Sequence, residues 1–132
     1  MLIEFFGGVV IKVKIKGFLK NLTENEEEII NTSAIIKSNT INYINNDIKY
    51  KLILEENQVI LQRENNEFTH KIIFNKIKKH KSEYYVKGLH HSLEFNIETL
   101  DLKLIDKKLN ITYKVLETEN IYNYVIETSD KI

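Results

Sequence analysis

The stretch from Leu93 to Val115 limits the folds open to this chain more than any other. Leu93, Phe95 and Ile97 alternate with Glu94, Asn96 and Glu98. After Thr99 the parity changes, and the apolar positions become Leu100, Leu102 and Leu104. A turn at Asp106-Lys107-Lys108 follows, and then Leu109, Ile111, Tyr113 and Val115 alternate with Asn110, Thr112 and Lys114. Alternation with a period of two makes a strand with one dry face and one wet face. A parity change without a turn needs one extra residue, which is what a β-bulge supplies. The expectation is a long strand bent within a residue or two of Thr99-Leu100 and hairpinned onto its successor, with Leu109, Ile111, Tyr113 and Val115 facing inward. A bent strand with one dry face curls a sheet around a core.

The rest of the chain repeats the pattern. Residues 1–8 read as a short strand or N-terminal arm with a hinge at Gly7-Gly8. Ile11, Val13 and Ile15 then face one side, and Lys12, Lys14 and Lys16 the other; lysine on an outer face protects an edge from unwanted pairing. Thr23 and Glu26 have capping-box spacing, which allows a helix over 23–31. The run Ile29 to Ile36 is rich in β-branched residues and favours a strand instead. Short strands follow at Thr40–Ile44, Ile48–Leu54, Val59–Arg63, Phe68–Phe74, Tyr84–Gly88 and Ile121–Thr128. Turns at Asn45-Asn46-Asp47 and Asn65-Asn66 use residues that tolerate positive φ. Many short strands at this spacing, with no long amphipathic helix, mean a sandwich or barrel. The reading is one all-β domain over 1–132; taken with the family resemblance described below, it is an antiparallel eight- to ten-stranded barrel.

Composition removes several functional classes. Nineteen basic residues balance nineteen acidic ones, whereas nucleic-acid binders usually carry a basic excess. No cysteine is present, so thiolate nucleophiles, disulfides and cysteine metal sites are excluded. Its absence fits a reducing, cytoplasmic setting. No stretch approaches the roughly 20 apolar residues of a membrane-spanning helix. With 4 glycines and no proline, Asn is expected to take positions where other chains use Gly.

Chemistry-bearing motifs are sparse. Phosphate loops, nucleophile elbows and zinc-protease helices are all missing. His90 and His91 are adjacent and point apart on extended backbone, so even with His80 nearby a turn is a better reading than a metal site. His70 lies in an apolar row, as a hydrogen-bonded core histidine would. Glu24, Glu26, Glu27 and Glu28 read as a solvated loop. Lys76, Lys78, Lys79 and Lys81 could meet phosphates, but the neutral charge balance weighs against it. No catalytic residue, cofactor or metal is assigned.

An ordered series of segments resembles the YwiB-like (DUF1934) family of uncharacterised bacterial proteins. It comprises Val59-Ile60-Leu61-Gln62-Arg63, Lys71-Ile72-Ile73-Phe74, Tyr84-Tyr85, Ser92 to Thr99 and Leu109 to Tyr113. The likeness covers the C-terminal half well and the first half in outline. It departs at Glu64-Asn65-Asn66, where the family has glycine, and at Leu89-His90-His91, where it has a Pro-aromatic-Gly turn. The resemblance implies a cytoplasmic calycin-like (lipocalin-like) β-barrel with no established activity, and it carries over no catalytic residues.

The assigned faces send many aromatic residues inward. Barrels of about eight strands are either just filled by side chains or hold one small ligand. Tyrosine hydroxyls and His70 need partners that a dry core supplies poorly. The expectation is therefore a partial cavity, apolar at its base, that binds a small apolar or amphipathic ligand. Its binding residues would be Tyr50, His70, Phe74, Tyr85, Phe95 and Tyr113. The alternative is a protein-interaction or structural module with a filled barrel, homo-oligomeric through an exposed strand edge. An enzyme comes last. Neither nucleic acid nor membrane is expected as a partner.

Overall fold

The computed structural model of the chain describes residues 2–5 and 8–128. Its strands are β1 (Leu2–Phe5), β2 (Gly8–Asn21), β3 (Glu26–Lys37), β4 (Thr40–Asn45), β5 (Ile48–Leu54), β6 (Val59–Glu64), β7 (Phe68–Phe74), β8 (His80–Val86), β9 (His91–Ile105), β10 (Lys108–Val115) and β11 (Asn120–Thr128). A single 3-10 turn at Lys87–Leu89 joins β8 to β9. No helix among the described residues is long and apolar enough to cross a membrane.

Each strand from β3 to β11 pairs antiparallel with its sequence neighbour. β11 then returns to β2, and β2 pairs with β3. The sheet thus closes into a ten-stranded antiparallel barrel, at the upper end of the expected range. Closure depends on β2 having partners along both edges. From Val10 to Asn21 it pairs with β3, and from Ile15 to Asn21 with β11. β1 takes the stretch of that second edge beyond the end of β11, with Leu2 opposite Ile11 and Phe5 opposite Gly8. The expected hinge falls partly outside the described residues, at Gly7, while Gly8 already belongs to β2.

The bulge lies where the parity change put it. Thr112 pairs with Asp101 and Tyr113 with Thr99, which leaves Leu100 as the extra residue of β9. Leu100 is correspondingly 45% exposed. Thr99 turns inward just before it, and its Oγ1 accepts the backbone N–H of Asn75 at 3.0 Å. The bend lets one strand serve two partners: β8 along its first half, and β10 from Ile97 onward.

Asparagine builds the turns, as a chain short of glycine requires. Asn46 and Asp47 both adopt positive φ, 51° and 63°, between paired Asn45 and Ile48. That is the backbone of a two-residue hairpin turn. The side chains of Asn21, Asn65 and Asn75 each accept two backbone N–H groups of the turn that follows, a local bond that holds a chain reversal without glycine.

Three expectations need correction or a choice. Residues 26–31 are strand, because β3 pairs with β2 through every residue from Glu26 to Lys37. Thr23 serves the turn instead of a helix, its Oγ1 accepting the N–H of Ile121 at 2.9 Å. β8 begins at His80, four residues before the expected Tyr84, so His80 and Lys81 belong to a strand and not to a loop. The basic run is also neutralised. Lys76, Lys79 and Lys81 pair with Asp101, Glu98 and Glu94 of β9 at 3.7, 3.8 and 3.5 Å. Such exposed pairs stabilise little, but they occupy three of the four lysines that were considered for phosphate.

Inward residues fill one part of the barrel tightly. Val13, Ile15, Ile36, Leu52, Phe74 and Ile126 are among the buried core. Each belongs to a row with every second residue turned inward, and burial at this density is the main favourable term in folding.

Candidate functional site

The interior is not filled throughout. A cavity of about 210 Å³ lies among β2, β6, β7, β8, β9, β10 and β11. Thr118, in the β10–β11 turn, lines it, so the cavity reaches the barrel end that carries this turn. Leu61, Ile72 and Ile97 form apolar walls deeper in, and Phe95, Val115 and Leu19 lie nearer the open end. Against these apolar surfaces stand Arg63, His70 and Ser82.

Strand pairing places these three polar residues. Arg63 follows Val59 and Leu61 on the inward row of β6 and lies opposite His70 of β7. His70 lies opposite Tyr84 of β8, and Ser82 is the preceding inward residue of that strand. Arg63 Nε, His70 Nδ1 and Ser82 Oγ are all buried without a hydrogen-bond partner in the protein. Buried polar atoms nearly always have partners, so three orphans on residues that line one cavity single it out. A fourth, His80 Nε2, sits at the start of β8.

The guanidinium of Arg63 has aromatic faces for company. It lies 5.9 Å from the centroid of Tyr50 and 5.4 Å from that of Phe68. Burial first, and the Arg63 charge second, push the His70 pKa down from 6.5 to about 3. His70 is therefore a neutral imidazole at pH 7, one ring nitrogen donating and the other accepting. The unfolded chain takes up this proton as pH falls below 6.5, whereas the folded chain refuses it until about pH 3. The stability due to a neutral His70 is thus complete above pH 6.5 and declines as pH falls through that window. Between pH 7 and pH 4.5, urea denaturation should show the parent losing more stability than His70→Leu. Parallel pH profiles would contradict the placement of this ring.

Of the six residues expected to bind a ligand, the structure brings three to the cavity: His70, Phe95 and Tyr113. Phe74 is fully buried behind Tyr113, ring centroids 4.8 Å apart. Tyr50 is buried beside Arg63 and stacks on Tyr43 at 4.6 Å. Tyr85 is on the other face, a correction to the expected inward orientation. It pairs with Thr69 and Ser92, and its hydroxyl meets His90 Nδ1 outside the barrel at 3.2 Å. Tyr84 takes the inward position instead.

Two of the inward tyrosines satisfy each other, and a third meets a carboxylate. The Tyr43 and Tyr124 hydroxyls are hydrogen-bonded in the core, and burial raises both pKa values well above the ordinary 10. Tyr50 donates to Glu28 Oε2 at 2.8 Å. Its own pKa is pushed up to about 12 by burial, with Arg63 opposing the shift and Glu28 adding to it. Glu28 is thus no loop carboxylate, as had been expected. It also accepts from Asn45 Nδ2 at 3.0 Å and ties β3 to β4 and β5.

Sequence reasoning missed Arg63, Ser82 and Tyr84 as site residues. Arg63 was legible, since a charge at the third inward position of Val59-Leu61-Arg63 breaks an apolar row. Ser82 was hidden by the lysines that disguised the start of β8. Among the described residues, no three His, Asp or Glu side chains converge as a metal site would require.

No family model matches the sequence, and no curated protein matches it. Among solved structures, the crystal structure of the ywiB protein from Bacillus subtilis is similar, with a TM-score of 0.64 over 92% of each chain at 16% identity. The resemblance read from the sequence is met in the fold, across both halves of the chain.

Proposed function

We propose that this chain is a non-enzymatic barrel that binds one small apolar or amphipathic molecule in its interior cavity. The observation that carries this reading is the trio of unpartnered buried polar atoms, Arg63 Nε, His70 Nδ1 and Ser82 Oγ, on a cavity with otherwise largely apolar walls. Ligand sites are typically apolar concavities with a few placed polar groups. At 210 Å³ the cavity is below the range of about 300–1,000 Å³ usual for drug-sized ligands, so the occupant is smaller. A cytoplasmic setting and a calycin-like relationship belong to the same reading; the lack of cysteine supports the first and the closed antiparallel barrel the second.

The test is calorimetric titration with straight-chain alcohols and acids of increasing length. Saturable binding should peak at medium chain length. It should be lost in Leu19→Trp, which fills the cavity from a partly exposed position of β2. Absence of saturable binding across both series, or binding untouched by Leu19→Trp, would remove the ligand reading and put the interaction module in front.

A further inference from the structure

Resting on that reading, we infer that the cavity selects a ligand with a single negative charge, a medium-chain carboxylate whose head group meets Arg63, His70 and Ser82. The argument starts from charge. Among the described residues, no carboxylate lies within ion-pairing distance of Arg63. Glu28, which shares Tyr50 with Arg63 as a neighbour, is taken by the Tyr50 hydroxyl and by Asn45. Arg63 faces two aromatic rings, and its Nε is buried without an acceptor. A guanidinium cannot shed its proton; half-buried Arg63 has the Tyr50 hydroxyl beside it but no anion, and a charge withdrawn from water without a counter-charge is costly. A ligand anion would supply the missing acceptor.

The neighbours fit the same head group. Ser82 Oγ can donate a hydrogen bond. So can His70 Nδ1 in the tautomer that carries its proton there; both atoms are orphaned, and both residues line the same cavity. Neutral His70 leaves Arg63 as the one cation of the trio, so a monoanion balances the site. A phosphate monoester, with nearly two charges at pH 7, would bring an excess negative charge into low dielectric. Guanidinium and carboxylate also match as planar groups that can form two parallel hydrogen bonds. The apolar walls at Leu61, Ile72 and Ile97 lie one inward residue deeper along their strands and would take the tail. The volume equals that of roughly seven water molecules, which suits a chain of octanoate size and not a long-chain fatty acid held whole.

The experiment compares octanoate, 1-octanol and octyl phosphate by calorimetry, with the parent and with Arg63→Met and Ser82→Ala. The parent should bind octanoate most tightly. Arg63→Met should weaken octanoate by about tenfold to a hundredfold, the range for a hydrogen bond to a charged group, and leave octanol nearly unchanged. Ser82→Ala, which removes a single oxygen, should weaken octanoate by about fivefold and spare octanol. Equal binding of octanoate and octanol by the parent would overturn the anion preference while leaving the cavity reading intact. So would octyl phosphate outcompeting octanoate. Binding of none of the three overturns both. Should Arg63→Met fail to fold, the Ser82→Ala comparison and the ligand ranking in the parent decide the matter.

Discussion

Gly17→Ala is expected to be among the most damaging single substitutions in the chain. A Cβ on Gly17 would lie 1.8 Å from the carbonyl oxygen of Val125, 2.8 Å from its carbon and 3.0 Å from Cα of Ile126. These are backbone atoms of the neighbouring strand, so no rotamer change relieves the clash. Gly17 pairs with Ile126 on one side and Ile30 on the other, on the strand that closes the barrel. Adding one methyl group therefore forces β2 and β11 apart at the seam. Overpacking ordinarily costs about 1–3 kcal/mol. Here the strand cannot yield without losing ladder hydrogen bonds, and a loss above about 4 kcal/mol is expected. Urea denaturation, with soluble yield recorded beside it, measures this. A Gly17→Ala protein within about 1 kcal/mol of the parent would show that β2 does not pack against β11 as described.

Ile111→Ala should cost about 2–5 kcal/mol, as truncation of a buried large aliphatic residue does. Ile111 is 0% exposed, pairs with Tyr124 and Leu102, and belongs to the buried core. Thr112→Ala is its control on the opposite face. Thr112 offers one side-chain contact, accepting from Asn123 Nδ2 at 3.2 Å, and its loss should cost about 1 kcal/mol or less. The two substitutions are neighbours on one strand, with the first side chain pointing into the core and the second away from it. Equal shifts in the denaturation midpoint would refute the assigned face of β10.

The same reasoning explains what was readable beforehand. The face of β10, the row Ile11, Val13 and Ile15, and the bulge at Leu100 follow from alternation along one strand. That alternation is a property of extended backbone and needs no knowledge of neighbours. Reading failed where it was ambiguous. In β3, Ile29 and Ile30 are adjacent, as are Ile35 and Ile36, so either parity puts apolar residues inside. The inward position of Glu28 was therefore hidden until pairing with β2 and β4 fixed the register. Tyr84 and Tyr85 posed the same problem in β8, where a one-residue change of parity exchanges every side chain between faces.

The sequence by itself determined an all-β antiparallel fold, the site of its bend and most of its dry rows, because each of these is written within a few residues of chain. Only the tertiary structure decided which inward residues meet. Tyr43 and Tyr124 are bonded across 81 positions, and Arg63, His70 and Ser82 come to one cavity from three strands. Their meeting depends on the stagger between strands and on how the sheet closes. Those are set by the summed packing of the whole barrel, and no local period records them.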